Sequence, residues 1–295
     1  MKLFHSNVKS ISQADIVVIG VQDESRSHAK RRGASKGPDS LRTATNTFEF
    51  FERDGKIIPI CPMKGTLENK KIFDFGNTSR EDLYRLVFDI VSARKLPITI
   101  GGDHSITTLI LQAIHEAFQG DKISLLYFDA HPDFVSSTRD YYGSVITDSS
   151  DYINFTKSIL IGTRAAELEE LENANKQKLE IITPIDIIEL GINTTVKKII
   201  SKCGSSKVYL SIDLDCMDPG VAPGVSVPAP GGLFPLDLIY MIKKITENLE
   251  IVGMDIVELS PDYDLNQNTA NHAARILMET ISSLKVGHTS KTRQN

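Results

Sequence analysis

The sequence predicts an α/β fold, a single three-layer domain with a largely parallel sheet flanked by helices. Three observations carry that expectation: short apolar runs of strand length, helical periodicities between them, and no linker anywhere in 295 residues. The runs at 16–19, 97–100, 123–128, 158–161, 208–214 and 251–257 are apolar almost without interruption, as strands covered on both faces should be. Ser79 and Asp82 have the spacing of a capping box, and Leu83, Leu86, Val87 and Ile90 follow at i, i+3, i+4 and i+7. Leu238, Ile239, Ile242, Ile245 and Leu249 repeat that spacing, and helical patterns at 105–118 and 269–285 fit the same scheme. Strands that alternate with helices are joined by crossovers, which makes neighbouring strands parallel.

At 41% hydrophobic and 24% charged, a chain of this length sits where a single core stops growing. No Pro/Gly/Ser-rich stretch, like-charge run or internal repeat divides it, so one domain is expected over 1–286. The polar tail at 287–295, GHTSKTRQN, is expected to be disordered. A net charge of -5 argues against a nucleic-acid partner, and Lys30, Arg31 and Arg32 read as a solvated loop. The N-terminus lacks the apolar core of a signal peptide, and no stretch approaches the roughly 18 apolar residues of a membrane span. A cytoplasmic protein with no membrane partner is expected. Cys61, Cys203 and Cys216 form no CxxC pair and cannot all be bridged, so they are expected to be reduced and structural.

The chemistry lies where strands end. GGDHS at 101–105, DAHPD at 129–133, SIDLDCMDP at 211–219 and DIVELSP at 255–261 each follow or close an apolar run. In open parallel sheets ligands bind outside the carboxyl ends of the strands, so four such clusters can share one crevice. His104, Asp129, His131, Asp133, Asp213 and Asp215 offer four carboxylates and two imidazoles, a hard, oxygen-rich set that suits manganese, with iron, cobalt and nickel as competitors, better than structural zinc. In an extended segment i, i+2 and i+4 point the same way, which groups Asp129, His131 and Asp133, and likewise Asp213 with Asp215. Taken singly, His104 reads as a structural histidine and the Asp213/Asp215 pair as turn residues. Together, four carboxylates in one crevice repel unless a cation joins them, and six ligands exceed the need of one ion. Two ions about 3.5–4 Å apart, with bridging carboxylates, are the economical arrangement. His5, His28, His115 and His272 read as ordinary surface or packing residues, and Cys216 as a small packing residue.

GGDHS, DAHPD and SIDLDCMDPGVAPG resemble the metal-binding signatures of the ureohydrolase superfamily, which contains arginases, agmatinases and formimidoylglutamases. The similarity runs from RRGASKGPDSLR at 31–42 to DIVELSPDYD at 255–264, with the signatures in the family's order. The resemblance implies two Mn2+ per chain, one held by His104, Asp129, Asp133 and Asp213 and the other by His131, Asp129, Asp213 and Asp215. It implies a bridging water oriented by Asp133, Glu258 as the carboxylate that pairs with a guanidinium, and a homotrimer or homohexamer. The sequence departs from the family in one place. Arginases and many agmatinases carry a His-Gly pair in the loop after DAHxD, whose histidine is taken to shuttle protons; the nearest match here is Tyr142-Gly143, so that either Tyr142 does part of that work, water does, or the activity is reduced.

The resemblance implies a small guanidino or formimino substrate. FVSSTRDYYGS at 134–144 does not resemble the loop with which arginases hold an α-amino acid, and ELSPDYD resembles agmatinase, so agmatine ranks first. APGVSVPAP resembles formimidoylglutamase, and Arg139 would pair with a substrate carboxylate, so formimidoylglutamate or a guanidino acid ranks second. Two further readings are a metal-binding homologue without catalysis and a single-zinc deacylase, although the latter leaves His104 and Asp215 surplus.

Overall fold

The computed structural model describes residues 1–286. The tail expected at 287–295 lies outside them. In chain order the strands are β1 (Ile16–Val21), β2 (Phe50–Arg53), β3 (Lys56–Pro59), β4 (Ile72–Thr78), β5 (Leu96–Ile100), β6 (Ser124–Phe128), β7 (Ile159–Ile161), β8 (Glu180–Ile182), β9 (Lys207–Asp213) and β10 (Glu250–Val257). The helices are α1 (Gly37–Phe48), α2 (Arg80–Ser92), α3 (Ile106–Ala117), α4 (Val145–Asp148), α5 (Leu168–Gln177), α6 (Pro184–Leu190), α7 (Ile192–Cys203), α8 (Pro235–Asn248) and α9 (Asn268–Ser283). β2 and β3 pair as an antiparallel hairpin. The others form one eight-stranded sheet in the order β4-β1-β5-β10-β9-β6-β7-β8, and every neighbouring pair is parallel.

Strand periodicity explains the three layers. Ile16 and Val18 of β1 enter a core with Leu41 of α1, Leu238 and Ile242 of α8 and Ile276 of α9. Val17, Ile19 and Val21 enter a second core with Leu83 and Val87 of α2 and Ile110 and Ile114 of α3. A strand with an apolar layer on each side has no polar positions to alternate with, which is why the runs read as continuous. The two edge strands escape that pattern. β4 is wetted at alternate positions and β8 has only 3 residues. α2 begins as its spacing predicts, with the Asp82 amide donating to Ser79 Oγ at 3.1 Å.

The order of the central strands decides the site. β5, β10, β9 and β6 are consecutive neighbours, so the four polar segments that follow them emerge side by side at one edge of the sheet. Among the described residues no helix is long and apolar enough to cross a membrane.

Candidate metal centre

Each strand hands over its side chain through a tight local geometry. After β5 the chain turns at Gly102, where a Cβ would lie 1.8 Å from the Asp23 carbonyl oxygen, so only glycine lets the turn pass beneath the N-terminal segment. β6 leads directly to Asp129, and Asp133 follows with a left-handed φ of 48°. β9 ends at Asp213, whose Oδ1 accepts the Asp215 amide at 2.8 Å and turns Asp215 back to the same edge. β10 ends before Glu258, also left-handed at φ 63°. Its amide donates to Gly102 O and its Oε1 accepts the His104 amide, both at 2.9 Å. Non-glycine residues in this region cost of order 1 kcal/mol and persist where the surroundings over-determine them.

The six expected ligands converge. His104 Nδ1 lies 2.9 Å from Asp129 Oδ2, 3.2 Å from Asp213 Oδ2 and 3.4 Å from Asp133 Oδ2. His131 Nδ1 lies 3.1 Å from Asp215 Oδ2 and 3.4 Å from Asp129 Oδ1. Two ligand groups result, His104 with Asp129 and Asp213, and Asp129 with His131 and Asp215, each with its ligand atoms within 4.8 Å of one another. Asp129 belongs to both. The four-residue sets implied by the resemblance are met by three residues each: Asp133 stands beside the first group, its Oδ2 accepting the Tyr127 hydroxyl at 2.5 Å, and Asp213 joins only the first.

The electrostatics show what the cluster lacks. None of the four aspartates is more than 5% exposed. Burial, reinforced by neighbouring carboxylates, raises Asp133, Asp213 and Asp215 above the usual range. Burial acts the same way on Asp129, but its contacts with His104 and His131 outweigh it and hold that carboxyl low. Burial opposes charge on the two histidines, yet the aspartates raise both. Both shifts favour bound protons, on the imidazoles and on the raised carboxyls, where no cation offsets the charge. Asp129 Oδ2 is buried without a hydrogen-bond partner despite its close approach to His104. An orphaned carboxylate oxygen, four buried acids and two inward imidazole nitrogens fit a pair of hard divalent cations.

A buried network invisible in the motifs orients His104. Ser211 Oγ donates to Asp255 Oδ1 at 2.7 Å and so must accept from His104 Nε2, 2.8 Å away. Asp255 Oδ2 also takes the hydroxyls of Thr107 at 2.7 Å and Tyr209 at 2.6 Å. Protonation at Nε2 leaves Nδ1 as the ligand atom facing the aspartates. Tyr127 completes the shell, stacked on the His104 ring at 4.5 Å. Ser211 and Asp255 lie within the quoted signatures, and their alternation with Asp213 and Val257 was the available signal. Tyr127 precedes Asp129 by two and shares its side of the strand, the corresponding signal for that residue.

The loop after Asp133 is firmly held. Glu169 and Glu170 of α5 accept the amides of Ser136, Ser137 and Phe134, and Asp148 of α4 accepts the Asp140 amide. Tyr142 is raised by burial and then by the charges of Glu258 and Asp133, which places it within the field of the cluster. Arg139 is already engaged. Its Nε donates to Asp148 Oδ1 at 2.5 Å and an Nη to Thr147 O at 3.3 Å, so Asp148 already occupies the guanidinium expected to hold a substrate carboxylate. Glu258 Oε2 is buried without a well-formed hydrogen bond, and burial pushes this carboxyl up to about 8 although the Ser226 hydroxyl lies near enough to lower it. Cys216 packs in the core as expected. The basic cluster is not a free loop: Arg32 donates to the Ser27 and Glu24 carbonyls and Arg31 lies over the Tyr263 ring.

Metal affinity should depend on pH with a definite sign. His104 and His131 hold protons beyond the ordinary histidine value of 6.5, and those protons must leave before Nδ1 can ligate. Affinity for Mn2+ should therefore fall as pH falls, and keep rising above pH 6.5 where a free imidazole would already be neutral. Calorimetry in buffers of different ionisation heat should show proton release on binding; an uptake of protons would contradict the ligand set.

A profile of the Arginase family matches residues 14–282. An agmatinase of Neisseria meningitidis serogroup C is 32% identical over 285 residues, covering 92% of this chain and 87% of that protein. Among solved structures, the agmatine ureohydrolase of Thermoplasma volcanium superposes with a TM-score of 0.80 at 30% identity, covering 96% of this chain and 93% of its own. The proclavaminate amidino hydrolase of Streptomyces clavuligerus gives 0.83 at 26% identity and covers 96% of each chain.

Proposed function

The chain belongs to the arginase family and is a ureohydrolase-type hydrolase; from that premise we propose that it is a binuclear manganese enzyme that cleaves agmatine to putrescine and urea. The observation that carries the reading is the pair of ligand groups sharing Asp129, with the unpartnered oxygen of Glu258 beside His104.

His104, Asp129 and Asp213 would hold one cation, His131, Asp129 and Asp215 the other, with Asp133 at the edge of the first. When bound, the pair would supply hydroxide near neutral pH by lowering the pKa of a water. The chain's own residues do the rest. Glu258 is anchored through Oε1 by the His104 amide, which leaves Oε2 to accept an N–H of the guanidinium. An arriving cation favours the ionised form of a carboxyl that burial, helped by the charge of Asp103, has pushed up to about 8. Asp133, fixed by the Tyr127 hydroxyl, orients the nucleophilic water. Collapse at carbon leaves an amine that must gain a proton, and we assign Tyr142 a part in that transfer because the charges of Glu258 and Asp133 act on it.

Agmatine is favoured because the loop offers no uncommitted arginine at position 139 for a substrate carboxylate and because relatives at about a third identity are named agmatinases. The test is product release with Mn2+ across agmatine, arginine, formimidoylglutamate and guanidinobutyrate. Urea and putrescine from agmatine are expected. Turnover of an acid with none of agmatine would reassign the substrate, and no turnover of any would point to a non-catalytic homologue. Arg139→Ala should shift kcat/KM on either kind of substrate by no more than about 1 kcal/mol, the worth of an exposed ion pair. Loss of an acid substrate by about 1.5–3 kcal/mol would instead mark Arg139 as its anchor.

The reading extends to a cytoplasmic homotrimer or homohexamer. Three free cysteines suit a reducing compartment. Ile185, Ile188, Phe234 and Leu236 are large apolar side chains left exposed on the single chain. Sedimentation equilibrium checks the assembly.

A further inference from the structure

Hydrolysis of a guanidinium moves a proton twice. The attacking water sheds one, and when the carbon–nitrogen bond breaks its electron pair goes to the departing nitrogen, which takes one up. Both histidines of the cluster are committed to ligation, so neither is free to carry it. Imidazole is the side chain best suited to exchange protons near neutral pH. Of the other histidines among the described residues, His5 is bonded to Glu49 at 2.8 Å and His115 to Asp121 O at 3.0 Å, while His272 sits on α9. His28 is different.

The His28 ring stacks on Tyr141 with centroids 4.9 Å apart and meets Tyr142 edge-on at 6.2 Å. Tyr141 is in turn folded over Gly143, where a Cβ would come within 2.9 Å of its ring, so the glycine is what allows the stack. The inner end of this group lies in the field of Glu258, Asp133 and Asp215, which act on Tyr142. The outer end, His28 itself, is exposed. Its position is set by its neighbours. The Arg26 amide donates to Asp103 Oδ2 at 3.0 Å, the Tyr142 amide donates to Arg26 O at 3.3 Å, Arg26 pairs with Asp140 at 2.7 Å, and Arg32 donates to Ser27 O at 2.6 Å. The N-terminal segment and the loop after Asp133 are thus joined at the point where His28 touches the two tyrosines.

We propose that His28 is the proton carrier of this site, passing protons between Tyr142 and bulk solvent. The inference rests on the hydrolase reading above. His28 accepts, by way of the Tyr142 hydroxyl, the proton shed by the attacking water and returns it by the same route to the departing amine. One water is consumed, its atoms end in urea and the amine, and His28 finishes as it began. Because it acts through Tyr142, His28 is a positioning and relay residue, and its signature is a loss of turnover that a diffusible base restores.

The experiment is steady-state urea release by Mn2+-loaded His28→Ala, His28→Asn and Tyr142→Phe enzymes, with and without free imidazole, alongside metal content and melting temperature. His28→Ala should lower kcat by roughly 10- to 100-fold, the lower end of general acid–base contributions. KM, bound Mn2+ and melting temperature should stay unchanged. Imidazole should restore much of the loss in His28→Ala, none in Tyr142→Phe, and the double variant should be no slower than the slower single one. Unchanged kcat in both His28 variants overturns the relay, as does a loss that imidazole leaves untouched and that adds to that of Tyr142→Phe. A wild type that releases no urea from any guanidino compound overturns the hydrolase reading instead.

Discussion

Replacing Asp129 with alanine should empty both metal positions and abolish urea release, because this side chain is the one member common to the two ligand groups. Its Oδ2 approaches His104 and its Oδ1 approaches His131, so this one substitution removes an oxygen from each set. Wild type reconstituted with Mn2+ should hold two ions per chain. The variant should hold fewer than one, and activity should fall by about 4 kcal/mol or more, roughly 10³-fold, since metal activation supplies several kcal/mol of the barrier reduction. Stability gives an independent readout. Mn2+ at about 100 times its Kd should stabilise the wild type by about 2.7 kcal/mol and leave the variant unmoved. One ion per saturated wild-type chain, or a variant that keeps its metal, would defeat the shared-ligand arrangement.

Glu258→Gln should produce the second large loss, this time with the metals in place. Glutamine keeps a carbonyl oxygen for the His104 amide, so the turn between Gly102 and Glu258 survives. The variant loses the negative charge at Oε2, the buried oxygen without a partner. A charge-assisted hydrogen bond contributes about 1.5–3 kcal/mol, so kcat/KM should drop by roughly 10- to 150-fold. If Glu258 binds the substrate cation, KM for the guanidino compound should rise along with any fall in kcat, while bound Mn2+ is unchanged. A fall in metal content would move Glu258 from the substrate to the support of His104, and an unaltered kcat/KM would remove it from the site.

These two residues also show where sequence reasoning ends. The place of Asp129 in the cluster was legible because acids and histidines crowd into short motifs: alternation along an extended segment puts Asp129 and His131 on a common side. The α/β class was legible for the related reason that a strand buried on both faces leaves an uninterrupted apolar run, as in β1, β6 and β9. Edge strands β4 and β8 were not, because exposure on one side or a length of 3 residues erases that signal.

What local sequence could not contain is which segments become neighbours. That β5, β10, β9 and β6 lie side by side follows from late strands inserting between earlier ones, a consequence of packing over the whole chain. That arrangement sets Asp255 behind Ser211 and His104, and so selects the imidazole nitrogen that faces the cluster. It frees one oxygen of Glu258 while tying the other to a turn more than a hundred and fifty residues earlier. The surroundings of Arg139 and His28 were set in the same way. Arg139 sits in the expected loop but Asp148, nine residues on, claims its guanidinium, whereas His28 comes from a distant segment and is carried to Tyr142 by the bonds of Arg26. Residue type and local spacing determined that acids and imidazoles would gather at the ends of a parallel sheet; contacts between remote segments decided which side chains are left free to act, because a charged or polar group is available for chemistry only where no nearer partner has taken it.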